Sequence, residues 1–437
     1  MKYYHQFEDA IEKLGIENLQ MNQIADKPCV FLGLATGESI TLWRALQLVM
    51  SDINICYQHI LTHGLCELKW NQLVNIIHPK KPPVFSMSER EKGIIHGNSE
   101  WFKKYSENKY LSHFILDKNN ISQPKQIMFR ETKKMKYCEE RTKRRFKELK
   151  SFLHSLPTDT EIVIKPVDGM WWNEVFFCTI EEILKLENFI YKDPECEVTE
   201  DLNPEDDNIK NEFIRCGVIF GNTLFEERIK SYPIEIDWVK KDWNLRVLTT
   251  YNTDTNSYMV SWMPWRIDND WWAINRSISA DNISLEEIWR LAWWNTTTLQ
   301  KARKKVEALA IETTTVMANI WKRKNENPQI SSTKDFQNLA WVDIIIDEQL
   351  EPYVIEVNDS NSGCIYESML LDGIESIIPI AKSIKAKVNN YLDKNAAFEE
   401  ILSELSKLED KEAALRALGY EPLGEIEGTV EVEIIIK

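Results

Sequence analysis

No apolar run in the 437 residues approaches the ~20 that a membrane-spanning helix needs, which excludes such a span. The opening stretch, MKYYHQFEDAIEKL, is polar and acidic, unlike a signal peptide. Cysteine pairing signals are also missing. Cys29, Cys56, Cys66, Cys138, Cys178, Cys196, Cys216 and Cys364 are scattered, form no CxxC pair, and have no His at zinc-finger spacing. Small, buried, reduced thiols are expected, and with them a soluble cytoplasmic protein. An excess of positive charge is lacking: 53 Lys and Arg stand against 69 Asp and Glu, a formal net charge of −16. That argues against a general nucleic-acid binder, whose affinity rests on neutralising phosphates, but leaves room for a local basic pocket that takes a small anion. There is no GxGxxG and no Walker lysine; the ATGES loop after the apolar stretch PCVFLGL has neither. No Ser/His/Asp or Cys/His arrangement points to an enzyme-bound covalent intermediate.

What is present is enough apolar material for large cores: 43% hydrophobic residues, with 16 Trp. At roughly 150 residues per domain, the length predicts two to four units. PCVFLGL–ATGES–SITLWRALQLVM reads as strand, loop and helix, the opening of an α/β unit, and the Pro-rich PKKPPVF ends it. NSEWFKKYSENKYLSHFILDKNNISQPKQIMF holds a helix with Leu111, Phe114, Ile115 and Leu116 on its apolar face, ending near 118–120, and ISQP then leads into a strand. A basic amphipathic helix follows in KKMKYCEERTKRRFKELKSFL, and a strand in EIVIKPVDG. The acidic DPECEVTEDLNPEDD reads as a surface loop. Residues 214–229, IRCGVIFGNTLFEERI, read as two strands around a hairpin turn at Gly221–Asn222. Further strands lie in DWNLRVLTTY and NSYMVSWMPWRID, long helices between DNISLEEIW and NIWKR, and a β-hairpin in NLAWVDIIIDEQLEPYVIEVN that turns at 347–350. The Trp-dense WMPWRIDNDWWAINR, followed by Trp289, Trp293 and Trp294, reads as helix-on-sheet packing or as an aromatic wall for a substrate side chain. Residues 396–437 read as an acidic helix packed on the body with a short apolar strand at the end; an oligomerisation element, and so a homodimer, is an alternative.

The chemistry concentrates in EPYVIEVNDSNSG, residues 351–363. Glu356 interrupts an apolar strand, and a buried, unpaired carboxylate is costly. Residues two apart on a strand share a face, so Glu356 and Asn358 project together, and Asp343 on the preceding strand can join them. Two carboxylates and an amide oxygen suit Mg²⁺; a chance polar edge is the alternative. Lys165 ends the apolar strand EIVIK, placed either to reach a polyphosphate from a rigid base or to snorkel to solvent. Lys109 lies upstream in a helix. FEERI ends a strand with Glu226 and Glu227, which face ribose hydroxyls or solvent. Arg246 lies mid-strand between Leu245 and Val247, where a charge faces a cleft or a partner, and Asn275 and Arg276 add an amide and a guanidinium.

The order Lys, Lys-Pro, Glu-Glu, Arg, Asn-Arg, Asp…Glu-x-Asn resembles the ATP-grasp superfamily of carboxylate–amine ligases over roughly residues 98–385. The resemblance implies an α/β (α+β) ATP-grasp fold. It would comprise an N-terminal α/β pre-grasp domain (1–97), a small central lid domain (98–235), a larger C-terminal antiparallel-sheet domain (236–395) and a helical tail (396–437). It implies that Lys109 and Lys165 hold ATP phosphates, that Glu226 or Glu227 contacts the nucleoside, and that Asp343, Glu356 and Asn358 bind two Mg²⁺. Arg246, Arg276 and Asn275 would face the γ-phosphate and the reacting carboxylate. The implied reaction joins a carboxylate of an amino acid or peptide to an amine through an acyl phosphate. A small-molecule kinase or a non-catalytic nucleotide-binding module on the same scaffold is the alternative. The partners implied are small molecules or peptides, without nucleic acid or membrane. DGMWWNEVFF departs from the family's Gly-rich flap, and NDSN from its usual metal loop; Asp359 is assigned to the loop.

Overall fold

The computed structural model describes residues 13, 29–32, 37–49, 54–57, 74–77, 106, 108–129, 137–167, 175–191, 207–236, 239–252, 254–267, 281–283, 296–324, 339–358, 365–386, 421–422 and 432–433. The first described elements of more than one residue are β1 (Cys29–Leu32), helix Gly37–Val49, β2 (Asn54–Tyr57) and β3 (Val74–Ile77). These form a small sheet in the order β2-β1-β3, in which β1 and β2 run parallel, joined through the helix. Helix Lys109–Lys118 follows, then β4 (Gln126–Phe129), helix Glu139–His154, β5 (Glu161–Pro166) and β6 (Phe176–Thr179). After the short helix Ile180–Lys185 come helix Asp207–Phe220 and β7 (Thr223–Glu227). Next are β8 (Ile234–Ile236), β9 (Val239–Lys241), β10 (Trp243–Asn252), β11 (Ser257–Trp262), β12 (Trp265–Ile267) and β13 (Asp281–Ile283). The long helix Thr296–Lys324 precedes the hairpin of β14 (Leu339–Ile346) and β15 (Pro352–Asn358), which helix Ile365–Asp372 follows. Two short strands, β16 (Glu421–Pro422) and β17 (Val432–Glu433), pair near the end.

Two antiparallel sheets carry the described core. The first has the order β4-β7-β5-β6; the second runs β13-β12-β10-β14-β15, with β11 also on β10. Each is apolar on the face its helices cover. In the first, Phe129, Ile162, Ile164, Phe176 and Phe225 pack against Phe146, Leu149, Ile214 and Val218 of two helices. In the second, Leu245, Val247, Val342, Ile344 and Val354 pack against Ala302, Val306 and Ala310 of the long helix, and Ile115 and Leu116 of helix Lys109–Lys118 join them. At roughly 1.5–3 kcal/mol per fully buried large apolar side chain, these two layers dominate the stability. The other face of each sheet is left for polar groups. The sheets are tied together by backbone: Val354 N–H donates to Ser122 O at 2.9 Å and Tyr232 N–H to Ile346 O at 2.8 Å.

Three expectations are corrected here. Residues 207–220 form a helix, so the expected hairpin around Gly221–Asn222 is absent. Its buried residues, Phe213, Ile214, Gly217 and Val218, recur at helical spacing, and the positive φ of Gly221 (102°) and Asn222 (64°) ends the helix instead of turning a hairpin. DNI at 281–283 is an edge strand, not helix. Cys216 is disulfide-bonded, against the reading of reduced thiols throughout, because scattered spacing does not reveal pairing; Cys138 and Cys178 are free. The Pro-rich stretch, the body of the acidic loop and the helical part of the tail lie outside the described residues. Among the described residues, no helix is long and apolar enough to cross a membrane.

Gly217 is where helix Asp207–Phe220 meets β7. A Cβ there would lie 2.4 Å from Thr223 Oγ1 and 2.7 Å from Thr223 Cβ, on a buried residue with no room to retreat. Ala is the better helix former by up to ~1 kcal/mol, yet Gly217→Ala is expected to destabilise by ~1–3 kcal/mol through overpacking. Urea unfolding followed by Trp fluorescence measures this; a stabilised variant would mean that the helix can shift away from the strand.

Candidate functional site

The polar faces of the two sheets meet at helix Lys109–Lys118. Asn108 caps it, its side chain accepting from Leu111 N–H at 3.0 Å. Lys109 N–H donates to Val167 O at 3.2 Å, which sets Lys109 beside the end of β5, two residues past Lys165. On β5, Ile162 and Ile164 turn to the core, so Val163 and Lys165 take the opposite face. Glu226 pairs with Val163 across the ladder and joins that face, with Gln126 directly opposite on β4. Lys165 Nζ donates to Glu226 Oε1 at 3.2 Å, and both are buried. Glu227 turns away: its Oε1 accepts from Lys125 N–H at 2.9 Å.

In the second sheet, Arg246, Asp343 and Glu356 stand side by side on β10, β14 and β15. Arg246 Nε and Nη2 donate to Asp343 Oδ1 and Oδ2 at 2.8 and 2.7 Å, a buried bidentate pair. Asn358 Nδ2 donates to Asp343 Oδ2 at 3.2 Å. Glu356 reaches this face through a β-bulge. Ile344 pairs with Val354 and Asp343 with Glu356, which leaves Ile355 as the extra residue. Val354 therefore points into the core while Glu356, two residues on, points to the site; in a regular strand they would share a face.

The two sheets are joined in the site by charge. Lys109 Nζ lies 3.7 Å from Glu356 Oε1. His113, one turn further along the same helix, is buried, with Nε2 at 3.9 Å from Glu226 Oε2. Burial pushes its pKa down, with Glu226 opposing this and Lys165 adding to it. Three cations and three carboxylates thus stand in pairs: Lys109 with Glu356, Lys165 with Glu226, Arg246 with Asp343. Among the described residues, Glu226 Oε2 and Gln126 Oε1 are buried and have no hydrogen-bond partner.

Asp343, Glu356 and Asn358 converge, as do Lys109, Lys165 and Glu226, and Arg246 lies against Asp343. Asn275 and Arg276 lie outside the described residues, as do Asp359, the WW flap and Trp289, Trp293 and Trp294. Sequence reasoning missed His113 and placed Phe114 on the apolar face of the helix; Phe114 is exposed, and Ser112 and His113 are buried in its stead. The signal available was spacing: His113 is four residues after Lys109 and so lies on its side of the helix.

The donor set fits a hard cation. Two carboxylates and an amide side chain, Asp343, Glu356 and Asn358, belong to one patch on two neighbouring strands, and hard oxygen donors of this kind suit a divalent cation.

No protein-family model matches the chain, and no curated protein does. Solved structures do. The L-amino acid ligase from Bacillus licheniformis is 12% identical over 66% of this chain and 50% of its own, with a TM-score of 0.35. The D-alanine–D-alanine ligase from Coxiella burnetii is 11% identical over 69% of this chain and 64% of its own, at 0.37. The Bacillus anthracis D-alanine–D-alanine ligase, solved with ATP, is 12% identical over 82% of this chain and 95% of its own, at 0.37. The chain thus spans half to just under two thirds of the first two. All three of these structures are named as ligases.

Proposed function

We propose that the chain is an ATP-dependent, ADP-forming ligase that joins a carboxylate of an amino acid or peptide to an amine. The observation that carries this reading is the meeting of Lys109 with Glu356 at 3.7 Å, which sets a lysine-lined wall against the Asp343–Glu356–Asn358 patch. A polyphosphate needs cationic donors on one side and a cation site on the other, and few other ligands need both. Lys165, fixed on β5, and Lys109, fixed by its backbone bond to Val167, hold the phosphates as point charges. Glu226 faces the nucleoside from β7. Arg246 holds Asp343 in place, since two of its donors are bound to that carboxylate. Asp343, Glu356 and Asn358 hold Mg²⁺, which when bound neutralises charge on the phosphates.

The acceptor carboxylate displaces ADP from the γ-phosphorus and becomes an acyl phosphate. The amine then attacks its carbonyl carbon, inorganic phosphate leaves, and the amine proton goes to solvent. Each step is a displacement between bound substrates, so positioning and electrostatics suffice without an enzyme nucleophile. The test is acceptor-dependent phosphate release with Mg-ATP across amino acids and peptides, with products weighed by mass spectrometry. ADP, phosphate and amide in equal amounts are expected. Phosphate retained on the product would mean a kinase. No thermal stabilisation by millimolar Mg-ATP would mean that no nucleotide site exists, because a ligand that binds only the folded state must raise its stability, by ~2.7 kcal/mol at one hundred times its Kd.

A further inference from the structure

His113 has a defined tautomer. Gln123 Nε2 donates to His113 O at 3.2 Å, which turns Gln123 Oε1 toward His113 Nδ1 at 2.7 Å. That oxygen only accepts, so Nδ1 carries the hydrogen and the neutral ring keeps its lone pair on Nε2. Nε2 faces Glu226 Oε2 at 3.9 Å, an oxygen with no hydrogen-bond partner among the described residues. Two buried acceptors thus face each other, and the negative charge of Glu226 is balanced through its other oxygen by Lys165.

We infer that His113 is a positioning residue that takes up a proton when an anionic ligand draws Lys165 off Glu226, and so holds that carboxylate in place within the loaded site. The inference rests on the assignment of Lys165 to a phosphate. If Lys165 turns to the ligand, Glu226 is left as a buried, unpaired carboxylate, which costs several kcal/mol unless another cation replaces the lysine. The nearest group able to become one is His113. A proton passes from a buffer acid to Nε2, which then donates to Glu226 Oε2; the buffer is left as its conjugate base.

The charged groups around the ring favour this exchange. Glu226 on β7 raises its basicity and Lys165 on β5 lowers it; Glu356 on β15, which also raises it without a cation and is paired with Lys109 one turn earlier on the ring's own helix, is taken up by the cation once the site is loaded and adds nothing to the exchange. Drawing Lys165 toward an anion removes a repulsive neighbour and frees an attractive one at once. Desolvation, the largest influence, disfavours the charged ring.

The experiment is calorimetric titration of Mg-ADP into the full chain at about pH 8, in Hepes and in Tris, whose ionisation enthalpies differ. The dependence of the binding heat on buffer counts protons. Uptake approaching one proton per nucleotide is expected for the wild type and its loss in His113→Gln, with the wild-type affinity rising up to ~10-fold more than the variant's per unit fall in pH. Titration of the nucleotide itself is common to both proteins and cancels in the difference. Binding without uptake, or uptake unchanged in His113→Gln, overturns the inference and leaves the nucleotide site standing; no binding at all overturns both. Should the variant not fold, ring ¹⁵N shifts of the wild type decide: on adding Mg-ADP, one of the 7 histidines is expected to pass from neutral to charged. If none does, the inference fails.

Discussion

Glu356→Gln is expected to lower ATP-dependent phosphate release by at least ~10³-fold while leaving the fold intact. Neutralising charge on transferring phosphates is worth several kcal/mol, and each 1.36 kcal/mol is a factor of ten in rate. Gln keeps the shape of the side chain but removes the formal charge that a divalent cation requires. The fold should not notice. Glu356 follows the bulge, its side chain is 20% exposed, and its pairing with Lys109 at 3.7 Å is longer than a hydrogen bond. A part-exposed pair of this kind contributes ~0–1 kcal/mol. The thermal midpoint of Glu356→Gln should therefore stay within a few degrees of the wild type. Stabilisation by metal-free ADP should persist through the lysines, while the extra stabilisation from Mg²⁺ should vanish. Turnover near the wild-type rate would show that the cation sits elsewhere.

The sequence was most legible where one strand carried two conflicting demands. PYVIEVN places Val354 and Glu356 two residues apart, one apolar and one charged, and a regular strand cannot satisfy both. The structure resolves this with the extra residue Ile355, so that both read correctly from opposite faces. The hairpin was legible because its signal is local: alternating residues, a turn, and a polar run. Residues 207–220 were less so. IRCGVIF is short, apolar and β-branched, which suits a buried strand and a buried helix turn equally, and the Gly-Asn that follows can turn a hairpin or cap a helix. Only the preceding residues 207–213, half polar, extend the segment beyond strand length. Which of Glu226 and Glu227 turns to Lys165 needed the ladder register: Glu226 lies opposite Val163 and shares a face with Lys165, to which it bonds, while Glu227 turns back to Lys125. The partner of Arg246 was unreadable for a different reason. It lies 97 positions away on another strand, and no local pattern specifies an antiparallel neighbour at that distance.

That pair gives the largest expected effect on stability. Arg246→Leu should cost ~3–5 kcal/mol, because it takes the bidentate guanidinium partner away from the buried carboxylate of Asp343. Asp343→Leu should cost a similar amount by stranding the guanidinium. The double variant, Arg246→Leu with Asp343→Leu, removes both buried charges together, leaving neither uncompensated, and should be more stable than either single. A double-mutant cycle measured by urea unfolding should then give a coupling of at least ~3 kcal/mol. Activity should follow the opposite pattern: on the proposed function, in which Asp343 serves the cation and the arginine serves Asp343, it is absent in the double variant as in the singles. Additive losses would mean that water penetrates the pair and that its two hydrogen bonds do not hold the carboxylate in place.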